Sequence, residues 1–326
     1  MLILSRAEIQ QAIAMKNAIA IVRAAFAQLS TQRALVPLRV LIPLDQNDGG
    51  TLFMPAFLRD SNALGVKIVS VHHQNPKKNL PLIHALVIVI DATNGKPLAA
   101  LDGNYLTALR TGAASGVATE LLARKNARVG AIIGAGAQAR TQLLAICAAR
   151  ELERINIFAR DTTHVQTFIA EMREQVLAEL RVAATPREAI RDADVICAAT
   201  SSSSPVFDGN DLKMGAHINA IGSFTPEMQE VDETTLQRAN KIVVDARGGA
   251  LAEAGEIIQA LTRGVIRESD IYAEIGEIAV GLKRGREREE EITYFKSVGN
   301  AVQDAAVARA VYDAAVKLNL GVEVEI

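Results

Sequence analysis

Two glycines one residue apart lie between an apolar run that ends at Ile133 and a helix-forming run that begins at Ala137. Glycine lets the backbone approach a pyrophosphate closely, and free N–H groups at a helix start stabilise its charge. Glycines also end strands in many other α/β proteins, so the G-x-G turn is specific only through this strand-before, helix-behind context. The context favours a dinucleotide-binding turn. The residues that we expect at the cofactor phosphates are Gly134, Gly136, Ala137 and Gln138.

A lysine and an arginine stand in segments that are otherwise apolar or small. Lys67 lies in GVKIVSVHH, where strand alternation puts it on the same side as Val69, and Arg110 lies in the helix-forming segment TALRTGAASGVAT. Such a lysine either extends its ammonium along apolar surface to water or serves a pocket. The arginine either forms a surface ion pair or binds an anion. The pattern leaves these alternatives open.

The elements that must position these residues begin with a helix and a sheet. Ser5 and Glu8 form a possible capping box for a first helix that ends near Ser30. Residues 38–101 have strand-like patterns, which predict a mostly antiparallel sheet. Its last two strands are expected to join through a hairpin turn at Asn94-Gly95.

The second half has a different pattern. After a long helix predicted over residues 105–124, β and α segments alternate from Arg128 onward, which predicts a parallel sheet with crossover helices. Residues 298–319 are again helical by period, and we expect them to return to the first domain. The fold class is therefore α/β, with a Rossmann-type doubly wound domain and a mixed α/β domain. The charged run at 285–291 is expected to be a solvated loop.

Composition excludes several function classes. With 326 residues, of which 49% are hydrophobic, the chain is expected to form two domains. Its 35 basic and 37 acidic residues include no arginine-rich stripe, so we expect no nucleic-acid partner. No apolar run reaches the roughly 18 residues of a membrane span, and the N-terminus lacks a signal-peptide pattern, so we expect no membrane partner and no processing.

The cysteines and histidines argue against a disulfide or a metal. Cys147 and Cys197 are isolated in apolar surroundings, which suits reduced thiols and a cytoplasmic location. His84, His164 and His217 have neither a helical H-x-x-x-H partner nor a nearby cysteine pair. We therefore predict no metal site.

Several motifs are spread over nearly the whole chain: MPAF from Met54, GVKIVS around Lys67, LTALRTGAASGVAT around Arg110, IGAGAQA from Ile133, HINAIGSFTPEMQEVD from His217, VVDARGGALAEAGE from Val243 and SVGNAVQD from Ser297. Together they resemble the ornithine cyclodeaminase/mu-crystallin family. The resemblance implies a homodimer paired through the mixed domain, and NAD(H) or NADP(H) in the Rossmann domain. It places the substrate-binding and dimerisation domain at 1–118 and 300–326, and the dinucleotide-binding domain at 119–299.

The family's reactions pass through an imine beside a carboxylate, and Arg39, Lys67 and Arg110 match its substrate-site cations. An arginine fork can hold a carboxylate bidentately. Desolvation beside two arginines is expected to lower the pKa of Lys67, which would let its ammonium donate a proton to the substrate nitrogen. Lys67 and Arg110 are therefore our candidate catalytic residues.

One departure from the family pattern bears on the reaction. Family cyclodeaminases carry an aspartate where this chain has Phe224, a position that we expect to contact substrate. Without that carboxylate, deprotonation of a substrate amine loses its obvious base, whereas hydride delivery to a formed cyclic imine needs none. GSFTPEMQEVD looks like the ketimine and Δ1-pyrroline-2-carboxylate reductase branch. Ornithine cyclodeaminase, alanine dehydrogenase and a non-enzymatic NADP-binding crystallin-like protein are the alternatives.

The second Rossmann strand bears on cofactor choice. An acidic residue at this strand end takes ribose hydroxyls in NAD enzymes, whereas an arginine there accommodates the NADP phosphate. Here Ala159 occupies the acidic position, Arg160 follows and Thr162 adds a hydroxyl, so we expect NADP(H), while Asp161 keeps NAD(H) possible. By resemblance, further residues line the adenosine or nicotinamide pocket: Thr200, Ile218, Asn219, Ala220, Ile221, Ser297 and Val298.

Overall fold

In this computed structural model, which describes residues 1–325, the chain divides into two compact units. Unit 1 comprises Met1–Arg110 and the C-terminal segment from Ala301, and unit 2 comprises Thr111–Asn300. Within the described residues each unit contains one eight-stranded sheet. The α/β class predicted from the sequence is confirmed.

The strands, in chain order, are β1 (Leu2–Leu4), β2 (Ala34–Leu35), β3 (Val40–Leu44), β4 (Gly49–Leu58), β5 (Ala63–His72), β6 (Ile83–Ile90), β7 (Pro97–Asp102), β8 (Val129–Ile133), β9 (Arg154–Phe158), β10 (Glu179–Val182), β11 (Val195–Ala198), β12 (His217–Ala220), β13 (Lys241–Val244), β14 (Ile271–Glu274), β15 (Thr293–Lys296) and β16 (Val322–Glu323). The α-helices are α1 (Arg6–Ala12), α2 (Met15–Ser30), α3 (Gly103–Leu122), α4 (Ala137–Ala149), α5 (Thr162–Met172), α6 (Pro186–Ile190), α7 (Glu233–Arg238), α8 (Arg247–Glu253), α9 (Gly255–Thr262), α10 (Ile275–Ala279) and α11 (Ala301–Leu318).

The sheet of unit 1 has the order β16-β1-β7-β6-β5-β4-β2, and β3 also pairs with β4. From β3 to β7 each strand pairs antiparallel with its neighbour in the chain, which confirms the mostly antiparallel sheet. The β1–β7 pair is parallel. The sheet is therefore mixed.

The first helix differs from the sequence-based prediction. The capping box forms, because Glu8 accepts hydrogen bonds from both the backbone N–H and the hydroxyl of Ser5, but the helix breaks at Ile13, which is extended. The Ile13 side chain is buried at this break, so core packing overrides a continuous helix.

Within residues 1–325 no single helix is long and apolar enough to cross a bilayer. Only α1 and α2 together, bent by 85°, meet that test by length and composition.

The β6–β7 connection is longer than the two-residue turn that we predicted. It runs from Asp91 to Lys96, because the Asp91 carboxylate accepts hydrogen bonds from the Thr93 backbone N–H and the Asn94 side chain, and so stabilises a wider loop. Gly95 has a φ of +81°, which explains a glycine at this position.

The long C-terminal helix completes unit 1, as its pattern predicted. α11 packs on β4, β5 and α2, where its Ala301, Val302 and Ala305 join one core cluster with Met54 and Ala63 of the sheet. The buried face of α11 also carries two polar residues, Gln303 and Asp304, which are 0% and 1% exposed. These two side chains require polar partners in the interior.

The sheet of unit 2 has the order β10-β9-β8-β11-β12-β15-β13-β14, and the pairs between these neighbouring strands are parallel. The doubly wound parallel sheet is confirmed. The chain leaves β8 toward β9 and β10, then crosses to β11 and β12 on the other side. The strand order therefore reverses at β8, and the carboxyl ends of strands at such a switch point form a ligand-binding crevice.

The charged run at 285–291 is only partly the solvated loop that we predicted. Arg286 donates hydrogen bonds at 2.6 Å to the carbonyls of Leu122 and Glu291, and the Glu291 side chain is buried. The prediction is wrong for these two charged residues, because their side chains satisfy buried polar groups within unit 2.

Candidate active site

Lys67 lies near the middle of β5, opposite Met54 of β4 and Val87 of β6. Strand alternation directs it to the face that carries Ala63 and Gly65, which α11 covers. Its side chain is 3% exposed. The alternative in which the ammonium reaches water along the surface is therefore wrong.

The ammonium of Lys67 pairs with a carboxylate from the C-terminal helix. Lys67 Nζ lies 2.8 Å from Asp304 Oδ2, and Arg110 Nε donates to Asp304 Oδ1 at 3.0 Å. Arg110 Nη1 also donates to Gln303 Oε1 at 3.0 Å. Arg110 is 5% exposed, so the surface-ion-pair alternative is wrong as well. We call Lys67, Arg110 and Asp304 the cation cluster.

The pKa of Lys67 follows from this environment. The pKa of Lys67 is lowered to about 8, mainly by burial and also by the positive charges of Arg110 and Arg39, while the Asp304 carboxylate opposes the change. The expected direction is thus found, with a counter-ion that we had not anticipated. Arg39, half-buried just before β3, belongs to the electrostatic surroundings of Lys67. The structure therefore brings all three predicted cations together in unit 1.

Asp304 and Gln303 were missed by the sequence analysis, although both lie in the quoted motif SVGNAVQD. An acidic residue in the first turn of a helix has an ordinary explanation in the helix dipole, which conceals any other role. The available signal was the apolar period of the helix, which puts Asp304 on its buried side beside Ala305.

The glycine turn lies in unit 2 at the carboxyl end of β8. Gly134 has a φ of +107°, and a β-carbon there would lie 2.6 Å from the Ala199 carbonyl oxygen, so the turn requires glycine. Gly136 is the N-cap of α4, makes no side-chain cap and has open space around its α-carbon within the described residues. An anion such as a pyrophosphate at this end of α4 would meet the free N–H groups of the first helical turn.

The other predicted cofactor residues lie on neighbouring strands of the same parallel sheet. Ala159 and Arg160 follow β9, Thr200 follows β11, Ile221 follows β12, and Ser297 follows β15. Because these strands are parallel, their carboxyl ends share one edge with the glycine turn. Three further residues, Ile218, Asn219 and Ala220, lie within β12 with side chains that are 0% exposed.

Two acidic side chains organise this edge. Glu230 accepts hydrogen bonds from the backbone N–H and hydroxyl of Thr200 and from the N–H groups of Gly222 and Ser223, so one carboxylate joins the ends of β11 and β12. Burial raises the pKa of Glu230. Asp245 likewise accepts from the Ser297 hydroxyl and the Val298 N–H, which holds the chain after β15.

A buried ion pair lies in the same unit. Glu256 pairs with Lys296 at 2.8 Å and accepts a hydrogen bond from the Tyr294 hydroxyl at 2.9 Å, and all three side chains are fully or almost fully buried. The carboxylates of Asp245 and Glu256 thus both hold buried partners around β15.

The described residues contain no group of three or more His, Cys, Asp or Glu placed to hold a metal ion. His217 is buried and hydrogen-bonded to Thr293 and Asn219, and burial lowers its pKa to about 3. Cys147 and Cys197 are free thiols, and burial raises the pKa of each to about 12. These groups serve as neutral core residues.

The profile of the ornithine cyclodeaminase/mu-crystallin family matches residues 1–319. The chain belongs to this family. The resemblance drawn from the motifs is thereby confirmed, and the cation cluster and the glycine turn are features of a family member.

Family relatives match over the full length. A Δ1-pyrroline-2-carboxylate reductase of Bacillus cereus is 40% identical to this chain over 325 residues, and the match covers 100% of both chains. The solved Δ1-pyrroline-2-carboxylate reductase of Thermococcus litoralis, in complex with NADH and L-proline, has a TM-score of 0.95 and 42% identity, covering 99% of this chain and 100% of that one. An archaeal alanine dehydrogenase dimer with bound NAD has a TM-score of 0.92 and 38% identity, covering 100% and 99%.

Proposed function

We propose that this protein is a ketimine reductase, an NAD(P)H-dependent oxidoreductase that reduces cyclic imino acids. Its substrate is Δ1-pyrroline-2-carboxylate, which becomes L-proline, and the six-membered Δ1-piperideine-2-carboxylate becomes L-pipecolate. The observation that carries this proposal is the buried cation cluster, in which Lys67 and Arg110 share the single carboxylate of Asp304. The full-length similarity to two pyrroline-2-carboxylate reductases supports the choice of substrate.

The chemistry assigns a task to each cation. Arg110 and Arg39 bind the substrate carboxylate, for which the planar guanidinium is suited. The turn at Gly134 and Gly136 would hold the dinucleotide, whose nicotinamide would supply the hydride that the imine carbon gains. Lys67, whose lowered pKa makes it a better acid, donates the proton that the imine nitrogen gains. The C=N bond thus receives one hydride and one proton and becomes CH–NH.

Phe224 supports reduction over cyclodeamination. It stands in the loop after β12 and is 43% exposed, and its ring offers no base for a substrate amine. The same lack disfavours alanine dehydrogenase less strongly, since the archaeal alanine dehydrogenase resembles this chain over its full length. Retention of the three cations disfavours a protein that only stores a dinucleotide.

We infer NADP(H) as the preferred cofactor, with NAD(H) accepted. Arg160 is exposed at the end of β9 and makes no ion pair with any described residue, which suits a ribose phosphate. The nearby Asp161 instead caps α5 by accepting a hydrogen bond from the Thr163 N–H at 2.8 Å. The relatives solved with NADH and with NAD support the acceptance of NAD(H).

Replacement of Arg160 tests this preference. Arg160→Ala is expected to raise KM for NADPH by about tenfold or more, because a charge-assisted hydrogen bond is lost, while KM for NADH changes little. Arg173→Ala, at the other end of α5, is the matched control. Equal effects of Arg160→Ala on both cofactors would remove the argument for NADPH.

We also propose a homodimer formed through unit 1. Several large apolar side chains are exposed on or near β3, including Leu38 at 90%, Val40 and Leu41 at 56% each, and Ile42 at 48%. Apolar patches of this kind mark association surfaces. The archaeal alanine dehydrogenase is a dimer, and the partner that we propose for this surface is a second copy of this chain.

The deciding experiment is a substrate panel. Purified protein is incubated with NADPH or NADH and the five- and six-membered imino acids, with pyruvate plus ammonia, and with ornithine plus NAD. We expect oxidation of the reduced cofactor with the cyclic imines and chiral detection of L-proline or L-pipecolate. Turnover of only pyruvate plus ammonia or only ornithine would replace the proposal with the corresponding alternative, and no turnover would favour a binding protein.

A further inference from the structure

Asp304 joins residues from three separate elements of unit 1. It lies in the first turn of α11, is 1% exposed, and contacts Lys67 of β5 through Oδ2 and Arg110 of α3 through Oδ1. Its neighbour Gln303 accepts the second hydrogen bond of the same guanidinium. The end of α11 therefore fixes both the position of the ammonium and the plane of the guanidinium.

The charges explain why a carboxylate is needed here. Two buried cations without a counter-ion repel each other and lose hydration, which drives the lysine to its neutral form. One carboxylate shared between two cations leaves a single positive charge in the cluster, to which Arg39 adds another. The cluster thus stays cationic enough to attract a substrate carboxylate while its lysine keeps its proton.

We propose that Asp304 is a positioning residue of the reaction, which holds Lys67 as an ammonium and orients Arg110 toward the substrate carboxylate. This inference rests on the proposed function, since the role belongs to that reaction. Asp304 acts through these two side chains, and it exchanges no atom with the substrate.

The direction of the pH effect follows from the groups around Lys67. The charged groups that act on it are Asp304 from α11, Arg110 from α3 and Arg39 from the segment before β3, while its strand neighbours Met54 and Val87 are apolar. Burial lowers the pKa of Lys67 to about 8 and Asp304 opposes this change, so loss of the carboxylate charge lowers that pKa further. The protonated form is then lost at lower pH, and the alkaline limb of kcat/KM moves to lower pH.

Asp304→Asn tests the inference because it removes the charge and keeps the shape. Two quantities are measured against pH: kcat/KM for the cyclic imine, and the rate of Lys67 acetylation by acetic anhydride, followed by mass spectrometry. We expect the alkaline midpoint of both to fall by about one pH unit or more. Titration of the substrate itself is common to all variants, so it cancels in the comparison.

Asp194→Asn is the matched control. Asp194 is also a buried carboxylate with two cationic partners, Lys213 at 2.6 Å and Arg124, but it belongs to unit 2 and contacts none of the cation cluster. We expect this variant to lower Tm and to leave both Lys67 midpoints unchanged. An Asp304→Asn enzyme that loses activity equally at every pH, with an unchanged acetylation midpoint, would overturn the inference.

A second variant keeps the test open if Asp304→Asn does not fold. In Arg110→Gln the repulsion between Arg110 and Lys67 is lost and the Asp304 carboxylate serves Lys67 alone, so the acetylation midpoint of Lys67 should rise, and an unchanged midpoint would overturn the inference. Failure of the proposed function is separately visible, since it would abolish imine turnover in the wild type while the acetylation midpoints still report on Asp304 and Lys67.

Discussion

At the scale of single residues, the decisive feature is a lysine whose side chain is buried. A buried ammonium is tolerated only when a counter-ion and hydrogen bonds offset its lost hydration, and removal of one partner from such a pair is strongly unfavourable. Lys67 meets this condition through Asp304, at 2.8 Å. The same burial that makes the residue costly lowers its pKa to about 8 and makes it an acid suited to neutral pH.

Lys67→Met tests the proton-donor role. Methionine keeps most of the volume and removes the acidic proton, so kcat/KM for the imine should fall by about 100-fold or more. The Kd for the dinucleotide should stay within about twofold of the wild-type value, because Lys67 acts on the imine nitrogen. Steady-state kinetics and cofactor fluorescence measure the two quantities.

Lys241→Met is the control for that variant. Lys241 is likewise a buried lysine with a carboxylate partner, Glu287 at 2.8 Å, but it lies on β13 of unit 2. Stability should fall and the kinetics should change little. Undiminished imine turnover in Lys67→Met would eliminate this lysine as the proton source.

The sequence predicted part of this residue-scale picture. Strand alternation correctly placed Lys67 on the same face as Val69, but alternation says nothing about whether that face is covered. Coverage comes from α11, whose Asp304 is 194 positions from Arg110 in the chain. No local pattern joins residues so far apart, so the counter-ion emerged only from the fold.

At the scale of elements, the carboxyl edge of the parallel sheet depends on close backbone approach. A β-carbon on Gly222 would lie 2.0 Å from the Thr200 carbonyl oxygen and 2.6 Å from Glu230 Oε1. The ends of β11 and β12 therefore touch at this glycine, and the Glu230 carboxylate joins them. Both strand ends carry residues predicted to contact the cofactor.

Gly222→Ala should disrupt this junction. The backbone cannot move aside easily, so we expect a loss of about 1–3 kcal/mol in the free energy of unfolding and weaker dinucleotide binding. Urea unfolding and cofactor fluorescence give the two values.

Gly248→Ala is the contrasting variant. Gly248 lies in α8 with no described atom within 4 Å of a built β-carbon, so alanine should be neutral or stabilising by up to about 1 kcal/mol. Equal behaviour of the two variants would show that the β11–β12 junction has no special packing.

At the scale of the whole molecule, the exposed apolar residues of unit 1 are the basis of the proposed homodimer. Leu41 and its neighbours on β3 expose close to half or more of their surface, although the unit has a separate buried core. An aspartate on such a surface introduces a charge that association would have to desolvate. The homodimer proposal therefore has a direct test.

If the proposed homodimer forms, Leu41→Asp should convert it to a monomer, as measured by light scattering coupled to size-exclusion chromatography. Leu177→Asp is the control, since Leu177 is a fully exposed leucine of unit 2 and its replacement should leave the mass unchanged. A monomeric wild type, or a Leu41→Asp variant that stays dimeric, would contradict the proposed interface.

What the sequence determined by itself is local or repetitive: the alternation of β and α segments, the glycine turn after β8, the capping box at Ser5 and the family motifs. Each of these depends on neighbours within a few residues, so a single chain displays it directly. What only the tertiary structure decided is burial and long-range pairing. Three features depend on which surfaces cover one another: the break at Ile13, the buried contacts of the charged loop, and the meeting of Lys67, Arg110 and Asp304. Local sequence does not specify this coverage, yet coverage decides which polar groups lose hydration and gain from a partner.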